Sequence, residues 1–366
     1  ITFENRPARL SRGRHQELPM PLHLLPHLLP LALATAFAIA PDCHADPERF
    51  AFSEMLMGMQ FRVVVYAPDE QSANRAVSAA FRRILQLNTV CSDYDADSEL
   101  SRLCATAGTG QAVALSDDLF RVLTASQALA ERTDGAFDPT VGPLTRLWRR
   151  SRRSRQLPAP EVLEKARQAV GWKHLEIDPQ RKTAQLKRPG MQLDLGGIAV
   201  GFAIDEALKV LKAEGIQSAL IDGSGDIGVS DAPPGTAGWK IGVAPLDADK
   251  SPSRYLLLKN RAVTTSGDAF QFVEIDGVRY SHIVDPRTGL GLTTHSSVTL
   301  IAPTCIVADS HATAVCVLGP DRGLEFVEKQ TPGAEALFVL GAGDGHPEPS
   351  IRETAGFSRF QAPPVP

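Results

Sequence analysis

Apolar residues follow two different periods in the first half of the chain. The run from Phe61 to Tyr66 is rich in β-branched and aromatic residues and ends at Ala67-Pro68-Asp69, which predicts a strand followed by a turn. A first helix is predicted after this turn from apolar residues spaced three and four apart, at Ala73, Val77, Ala80, Ile84 and Leu87. A second helix is predicted from Asp117-Asp118 to its end at Gly135.

From Met191 to Leu340, short apolar runs alternate with glycine turns. The strand candidates are Gln217 to Ile221, Trp239 to Val243, Tyr255 to Leu258, Ala269 to Glu274 and Ser297 to Ile301, and the helix candidates are Gly197 to Glu214 and Val307 to Val317. The sequence has no internal repeat, and no long linker divides it into domains. We therefore expect one α+β unit with mixed sheets, packed helices and two intimately joined lobes.

The segment 149–160 is basic and then proline-rich, with five arginines. Such a run can bind phosphate or a membrane surface. Because it has no interleaved aromatic residues and no apolar period of its own, we expect a solvated loop.

Composition indicates an ordinary globular protein. The 366 residues are 43% apolar and 22% charged, and the net charge is -4. Nucleic-acid binding requires dense lysine and arginine, so we expect no nucleic-acid partner. An anionic substrate would have to be bound by local features.

The first 45 residues resemble a targeting segment, with several early arginines and an apolar stretch from Leu28 to Ala40. That stretch is interrupted by Pro30 and is shorter than the roughly 20 apolar residues of a membrane span. Cleavage after Ala45 and export to the periplasm are expected, whereas lipidation of Cys43 is less favoured because Asp42 precedes it. The domain is expected over 46–345, followed by a poorly ordered tail over 346–366.

Four cysteines follow that segment: Cys91, Cys104, Cys305 and Cys316. An even number in an oxidising compartment permits disulfides. Burial as four small apolar residues is an equally good interpretation.

Two glycine-rich segments are candidates for ligand contact. Asp194 to Gly201 precedes a predicted helix, where free N–H groups favour an anion, although such glycines also form plain turns. The loop from Asp222 to Gly228 carries two aspartates that could face a sugar hydroxyl or a metal, or simply shape a turn. Both alternatives stay open for each segment.

Three further residues suggest chemistry. Asp309 and Thr313 are four apart on a predicted helix, so their oxygens share one side and suit a hard cation such as Mg²⁺. A helix cap is the plain alternative for Asp309. His282 lies on a predicted strand before a turn and could move protons or be structural.

Taken in order, several motifs of the chain resemble the ApbE family, the FAD:protein FMN transferases. The matching motifs are Met57-Gly58, Ser92-Asp93-Tyr94 with Ser98-Glu99-Leu100, Gly135 to Leu144 with Leu147-Trp148, Asp194 to Gly201, Gly223 to Ile227, Thr265 to Asp268, Tyr280 to Gly289, and Ala308-Asp309 with Thr313. The resemblance implies an ApbE-like, T-fold-related α+β structure.

The resemblance also implies roles for individual residues. The FAD-binding residues would be Met57, Tyr94, Ala136, Phe137, Asp138, Asp194, Gly197, Val200 and Ile283, with Tyr94 against the isoalloxazine ring. Mg²⁺ would be bound by the Gly197 carbonyl and by the side chains of Asp309 and Thr313. The catalytic residues would be His282 and Asp309.

By the same resemblance, a Thr or Ser hydroxyl of a target protein, a membrane-associated redox protein, would attack the FMN phosphorus of FAD and release AMP. Water as the attacking group would make the site a FAD pyrophosphatase, and binding without turnover would make the chain an exported FAD carrier. Three residues depart from the family pattern: Val200 replaces a charged residue, Met59 a threonine, and His311 a small or apolar residue.

Overall fold

The computed structural model describes residues 46–247, 251–269, 271–342 and 349–363, which belong to one compact unit. No helix in these ranges is long and apolar enough to cross a membrane. The predicted targeting segment over 1–45 lies outside the described residues.

The strands are, in chain order, β1 (Glu48–Leu56), β2 (Met59–Ala67), β3 (Val113–Ala114), β4 (Leu175–Asp178), β5 (Thr183–Leu186), β6 (Ala219–Gly223), β7 (Asp226–Val229), β8 (Trp239–Gly242), β9 (Tyr255–Leu258), β10 (Arg261–Gly267), β11 (Phe272–Ile275), β12 (Val278–Ser281), β13 (Ser296–Ala302), β14 (Glu335–Leu340) and β15 (Ser350–Glu353). The helices are α1 (Glu70–Cys91), α2 (Glu99–Ala105), α3 (Asp117–Arg132), α4 (Gly142–Ser154), α5 (Pro160–Gln168), α6 (Ala199–Ala213) and α7 (Cys305–Gln330). Short 3-10 helices span Trp172–His174 and Phe357–Phe360.

An antiparallel sheet of eight strands, in the order β1-β2-β6-β7-β10-β13-β14-β15, organises the molecule. Alternate side chains enter two different cores because neighbouring residues of a strand point to opposite faces. Val63 and Val65 pack toward α1, α6 and α7, whereas Val64 packs toward the β8–β9 hairpin with Trp239 and Leu256. Both faces of the main sheet are therefore covered.

The start of α7 is held by α6. Backbone N–H groups at the first turn of a helix have no partner within the helix. Here the carboxylate of Asp205 in α6 accepts from the N–H groups of Cys305 (2.8 Å) and Ile306 (2.9 Å). Gly319, at a φ of 77°, interrupts α7, so its first part forms one rigid segment beside α6. The contact between Asp205 and the first turn of α7 fixes the position of Asp309 and Thr313 relative to α6.

The expected loop over the arginine-rich segment is wrong for 149–154, which continue α4. The residues that bury this helix are Leu144, Trp148 and Ser151, at spacings of four and three. Most of that period lies before the arginines, so the basic run taken alone conceals it. The helix ends at Arg155, whose φ of 54° is left-handed.

The expected poorly ordered tail is also wrong over 349–363. β15 pairs with β14, and the side chain of Phe357 is fully buried in the same core as Leu337. A strand this short gains its stability from pairing and packing with other segments, which its own sequence pattern does not show.

The other predicted helices and strands are present, most with ends shifted by a few residues, but the helix predicted over 307–317 extends to Gln330. His282 directly follows β12 rather than lying on it. Cys91, Cys104, Cys305 and Cys316 are buried thiols without disulfides, as the second interpretation held. Strand β1, which pairs with β2 along its full length, was not predicted.

The surroundings of His311 predict that acid destabilises the fold. It is buried on α7, with its Nε2 3.3 Å from Nη2 of Arg132 and its ring 5.5 Å from that of Phe326. Burial, and then the charge of Arg132, lowers the pKa of His311 to about 3. The unfolded chain takes up this proton near pH 6.5, so the contribution to stability is lost as pH falls from 6.5 toward 3.

We expect the His311→Leu variant to lose less stability than the wild type between pH 7.5 and pH 5.5, by at most about 1.4 kcal/mol per pH unit below 6.5. Urea unfolding of both proteins at the two pH values measures this difference. Equal losses in the two proteins would show that His311 does not contribute to acid sensitivity.

Candidate functional site

A cavity of about 500 Å³ lies at the end of the main sheet where β6 ends and β7 begins. Its walls come from α4, the start of α6, the first part of α7 and the segment after β12. The predicted site residues that line it are Tyr94, Ala136, Phe137, Asp138, Asp194, Gly197, Val200, His282, Ile283, Asp309 and Thr313. The structure thus brings together residues that are widely separated in the sequence.

Met57 is the predicted site residue that is not among the lining residues. Met57 and Gly58 form the two-residue turn between β1 and β2, both with positive φ (51° and 76°). Such turns fit the twist of a hairpin. Met59, the first residue of β2, lines the cavity instead.

One end of the cavity is built from the contact between α6 and α7. The N–H of Gly201 donates to Oδ2 of Asp309 at 3.0 Å. A Cβ on Gly197 would lie 3.0 Å from Oγ1 of Thr313, so the backbone there is in contact with that hydroxyl. Gly197, Asp309 and Thr313 therefore present a backbone turn, a carboxylate and a hydroxyl at one place.

A second carboxylate, that of Asp226, faces this end. Burial, and then the charge of Asp226, raises the pKa of Asp309 well above its ordinary range. Burial likewise raises the pKa of Asp226 to about 6. Two neighbouring carboxylates poorly accessible to water are stabilised by a cation or a proton between them.

The oxygen groups at this end suit a hard divalent cation that completes its coordination with substrate oxygens. Among the described ranges, no group of three or more His, Cys, Asp or Glu side chains could hold a metal without such help. The backbone and hydroxyl oxygens and a substrate phosphate would have to supply the remaining ligands.

The wall beside α6 is held by Asp194 and Arg149. Asp194 is nearly buried; its Oδ1 accepts from the N–H of Gly196 at 2.8 Å and its Oδ2 from Nη2 of Arg149 at 2.9 Å. Arg149 also pairs with Asp93, and its Cζ lies 4.5 Å from the ring centre of Tyr94. Tyr94 is 79% exposed, so this aromatic ring at the cavity mouth can stack on a flat ligand.

The carboxylate of Asp138 is used within the protein. It accepts from the hydroxyl of Thr140 at 2.6 Å and from the N–H of Trp172 at 3.0 Å. Burial raises the pKa of Asp138 above its ordinary value. This residue therefore shapes the turn that places Ala136 and Phe137 against the cavity.

His282 is half-buried in the wall, and its contact with Gln271 favours one tautomer. Its Nδ1 lies 3.3 Å from the carbonyl oxygen of Gln271, which can only accept, so Nδ1 carries the proton and Nε2 is the basic nitrogen. Burial, and then the charge of Arg152, lowers the pKa of His282 below its ordinary value. At neutral pH the imidazole is neutral and can accept a proton.

Arg149, Arg152 and Gln271 line the cavity and were not predicted from the sequence as site residues. The first two were assigned to a solvated loop. They are three residues apart on α4 and therefore lie on one side of that helix. Continuing the helical period of Leu144 and Trp148 through the arginines would have predicted this placement. Gln271 contacts His282 through its backbone carbonyl, so the identity of its side chain gives no indication of this role.

Comparison with known proteins gives consistent results. The model of the ApbE family matches residues 57–338. The chain is 32% identical to the FAD:protein FMN transferase of Treponema pallidum over 328 residues, covering 85% of this chain and 88% of the relative. It is 30% identical to the protein of that name from Vibrio cholerae over 324 residues, covering 87% and 95%.

Solved structures match equally well. The apo form of Pseudomonas stutzeri flavinyl transferase ApbE superposes with a TM-score of 0.76 at 30% identity, covering 88% of this chain and 99% of that one. The ApbE protein of Thermotoga maritima gives a TM-score of 0.75 at 29% identity, covering 86% and 100%. The α+β fold implied by the sequence motifs is confirmed, and the chain belongs to the ApbE family.

Proposed function

We propose that this protein transfers the FMN moiety of FAD to a Thr or Ser hydroxyl of a target protein and releases AMP, with Mg²⁺ as the metal. The observation that carries the proposal is one cavity whose lining combines a buried carboxylate pair with a histidine. Asp226 and Asp309 lie at one end with Gly197 and Thr313, and the neutral His282 lines the same cavity. The relatives named FAD:protein FMN transferase support the same reaction.

In this reaction the target hydroxyl oxygen forms a bond to the FMN phosphorus, and the bond from that phosphorus to the oxygen of the AMP phosphate breaks. The hydroxyl proton passes to Nε2 of His282, because Nδ1 already carries a proton that it donates to the carbonyl oxygen of Gln271. Asp309 and Thr313 would bind Mg²⁺ with the Gly197 carbonyl. When bound, the metal neutralises charge on the diphosphate.

The flavin ring fits the mouth of the cavity. Tyr94 offers an exposed aromatic face that Arg149 supports from behind, and Arg149 is itself fixed by Asp93 and Asp194. A ligand ring stacked there would leave its phosphates inside the cavity that the carboxylate pair and His282 line.

An exported location is proposed with the function, because the segment over 1–45 has the basic start and apolar stretch of a targeting signal. Fusion of this segment to a reporter that is active only after export tests the location. Activity of the reporter inside the cell alone would contradict it.

The function itself is tested by incubating the purified chain with FAD, Mg²⁺ and membranes from source cells lacking this protein. Transfer predicts a fluorescent flavin band on a denaturing gel and an FMN-modified Thr or Ser in its peptides. Free FMN and AMP without a band would indicate hydrolysis, and intact bound FAD would indicate storage. Either result would overturn the transferase proposal.

With FAD present to supply its phosphate oxygens, we expect millimolar Mg²⁺ to raise the Tm of the wild type but not that of Asp309→Asn, since the cation loses its main charged ligand. Transfer should slow on the order of 100-fold. Without Mg²⁺ the variant should be at least as stable as the wild type, because repulsion from Asp226 is relieved.

Asp321→Asn is the matched control for Asp309→Asn, since Asp321 lies on the same helix with an 82% exposed side chain. It should keep both the Mg²⁺ effect and the activity. An unchanged Mg²⁺ effect in Asp309→Asn would remove Asp309 from the metal site.

We expect His282→Gln to bind FAD with an affinity close to that of the wild type while transfer slows roughly 10²- to 10⁴-fold. Single-turnover rates across pH measure the second effect. The wild-type rate should fall as pH drops through the lowered pKa of His282, and the variant should lack this limb. Loss of FAD binding in the variant would show that His282 is architectural.

A further inference from the structure

Two arginines of α4 line the cavity, and their surroundings differ. Arg149 pairs with the carboxylates of Asp93 and Asp194. Arg152 is half-buried and, over the ranges that the structure describes, has neither a hydrogen bond nor an ion pair. Burial lowers the pKa of Arg152, as expected for a cation that has lost water without gaining a carboxylate.

The position of Arg152 follows from a neighbouring contact. The indole N–H of Trp148 donates to the carbonyl of Ser281 at 2.9 Å, directly before His282. Arg152 lies four residues after Trp148 and therefore on the same side of α4. This places its guanidinium on the His282 side of the cavity, consistent with its effect on the charge state of that histidine.

The charges of the cavity are thus unevenly distributed. The carboxylates of Asp226 and Asp309 occupy the end near α7, and Val200 adds no charge at the start of α6. Among the described lining residues, Arg152 is the cation without a carboxylate partner. A ligand with a negative centre between a metal and a guanidinium would satisfy both ends.

We propose that Arg152 binds a non-bridging phosphate oxygen of FAD on the His282 side of the cavity. This inference rests on the proposed function for the identity of the ligand. The planar guanidinium matches phosphate geometry, and in transfer it would stabilise the charge that develops on the phosphoryl oxygens. Arg152 would supply the positive charge that Val200 does not.

The test compares Arg152→Gln with Arg150→Gln, which removes an exposed arginine from the same helix. Binding of FAD and of riboflavin, which has no phosphate, is measured by fluorescence with Mg²⁺ and without a target protein. We expect Arg152→Gln to weaken FAD binding about 10- to 100-fold and to leave riboflavin binding unchanged. Arg150→Gln should change neither, and Arg152→Lys should restore part of the FAD affinity.

Equal weakening of FAD and riboflavin would show that Arg152 only packs against the flavin, and no change in either would overturn the proposal. Unchanged FAD affinity with a raised KM for the target protein would instead assign Arg152 to a carboxylate of that protein. The variant should keep the wild-type Tm, since it loses no partner within the described protein. Since binding is measured without a target, failure of the transferase proposal leaves this result interpretable.

Discussion

The close contact between α6 and α7 is the constraint on which the site depends. A Cβ on Gly201 would lie 2.3 Å from the carbonyl oxygen of Cys305, so only glycine lets the helices approach this far. That approach lets the Gly201 N–H hold Asp309 and puts Gly197 against Thr313. A larger residue at position 201 would separate the two helices and disperse the oxygens of the proposed metal site.

Much of this arrangement can be predicted from the sequence, and the rest depends on contacts between distant segments. The spacing of Asp309 and Thr313 is a local property of one helix and was predicted correctly. The nearness of Asp226 to Asp309 depends on how β7 packs against α7. The sequence alone therefore could not decide whether the aspartates of the loop from Asp222 face a ligand or only shape a turn. Met57 was predicted to line the site, but Met59 does so. Met57 lies in the hairpin turn, and a turn residue does not point in the same direction as a strand residue.

The cavity also shows how the chain combines unfavourable elements. Asp226 and Asp309 repel each other, and Arg152 is partly desolvated without a carboxylate. Each weakens the folded state when the cavity holds no ligand, and groups of this kind concentrate where a ligand of opposite charge binds. The neighbouring side chains of Arg149 and Asp194, by contrast, form an ion pair with each other.

The carboxylate of Asp205 at the start of α7 has a consequence for anion binding. A helix attracts anions through its exposed N–H groups and the positive end of its dipole. In α7 the N–H groups of Cys305 and Ile306 already donate to a carboxylate from within the protein, which also lies at the positive end of the dipole. This helix therefore serves as a scaffold for side chains instead of acting as an electrostatic trap, and selectivity for a phosphorylated ligand comes under the control of individual, replaceable residues.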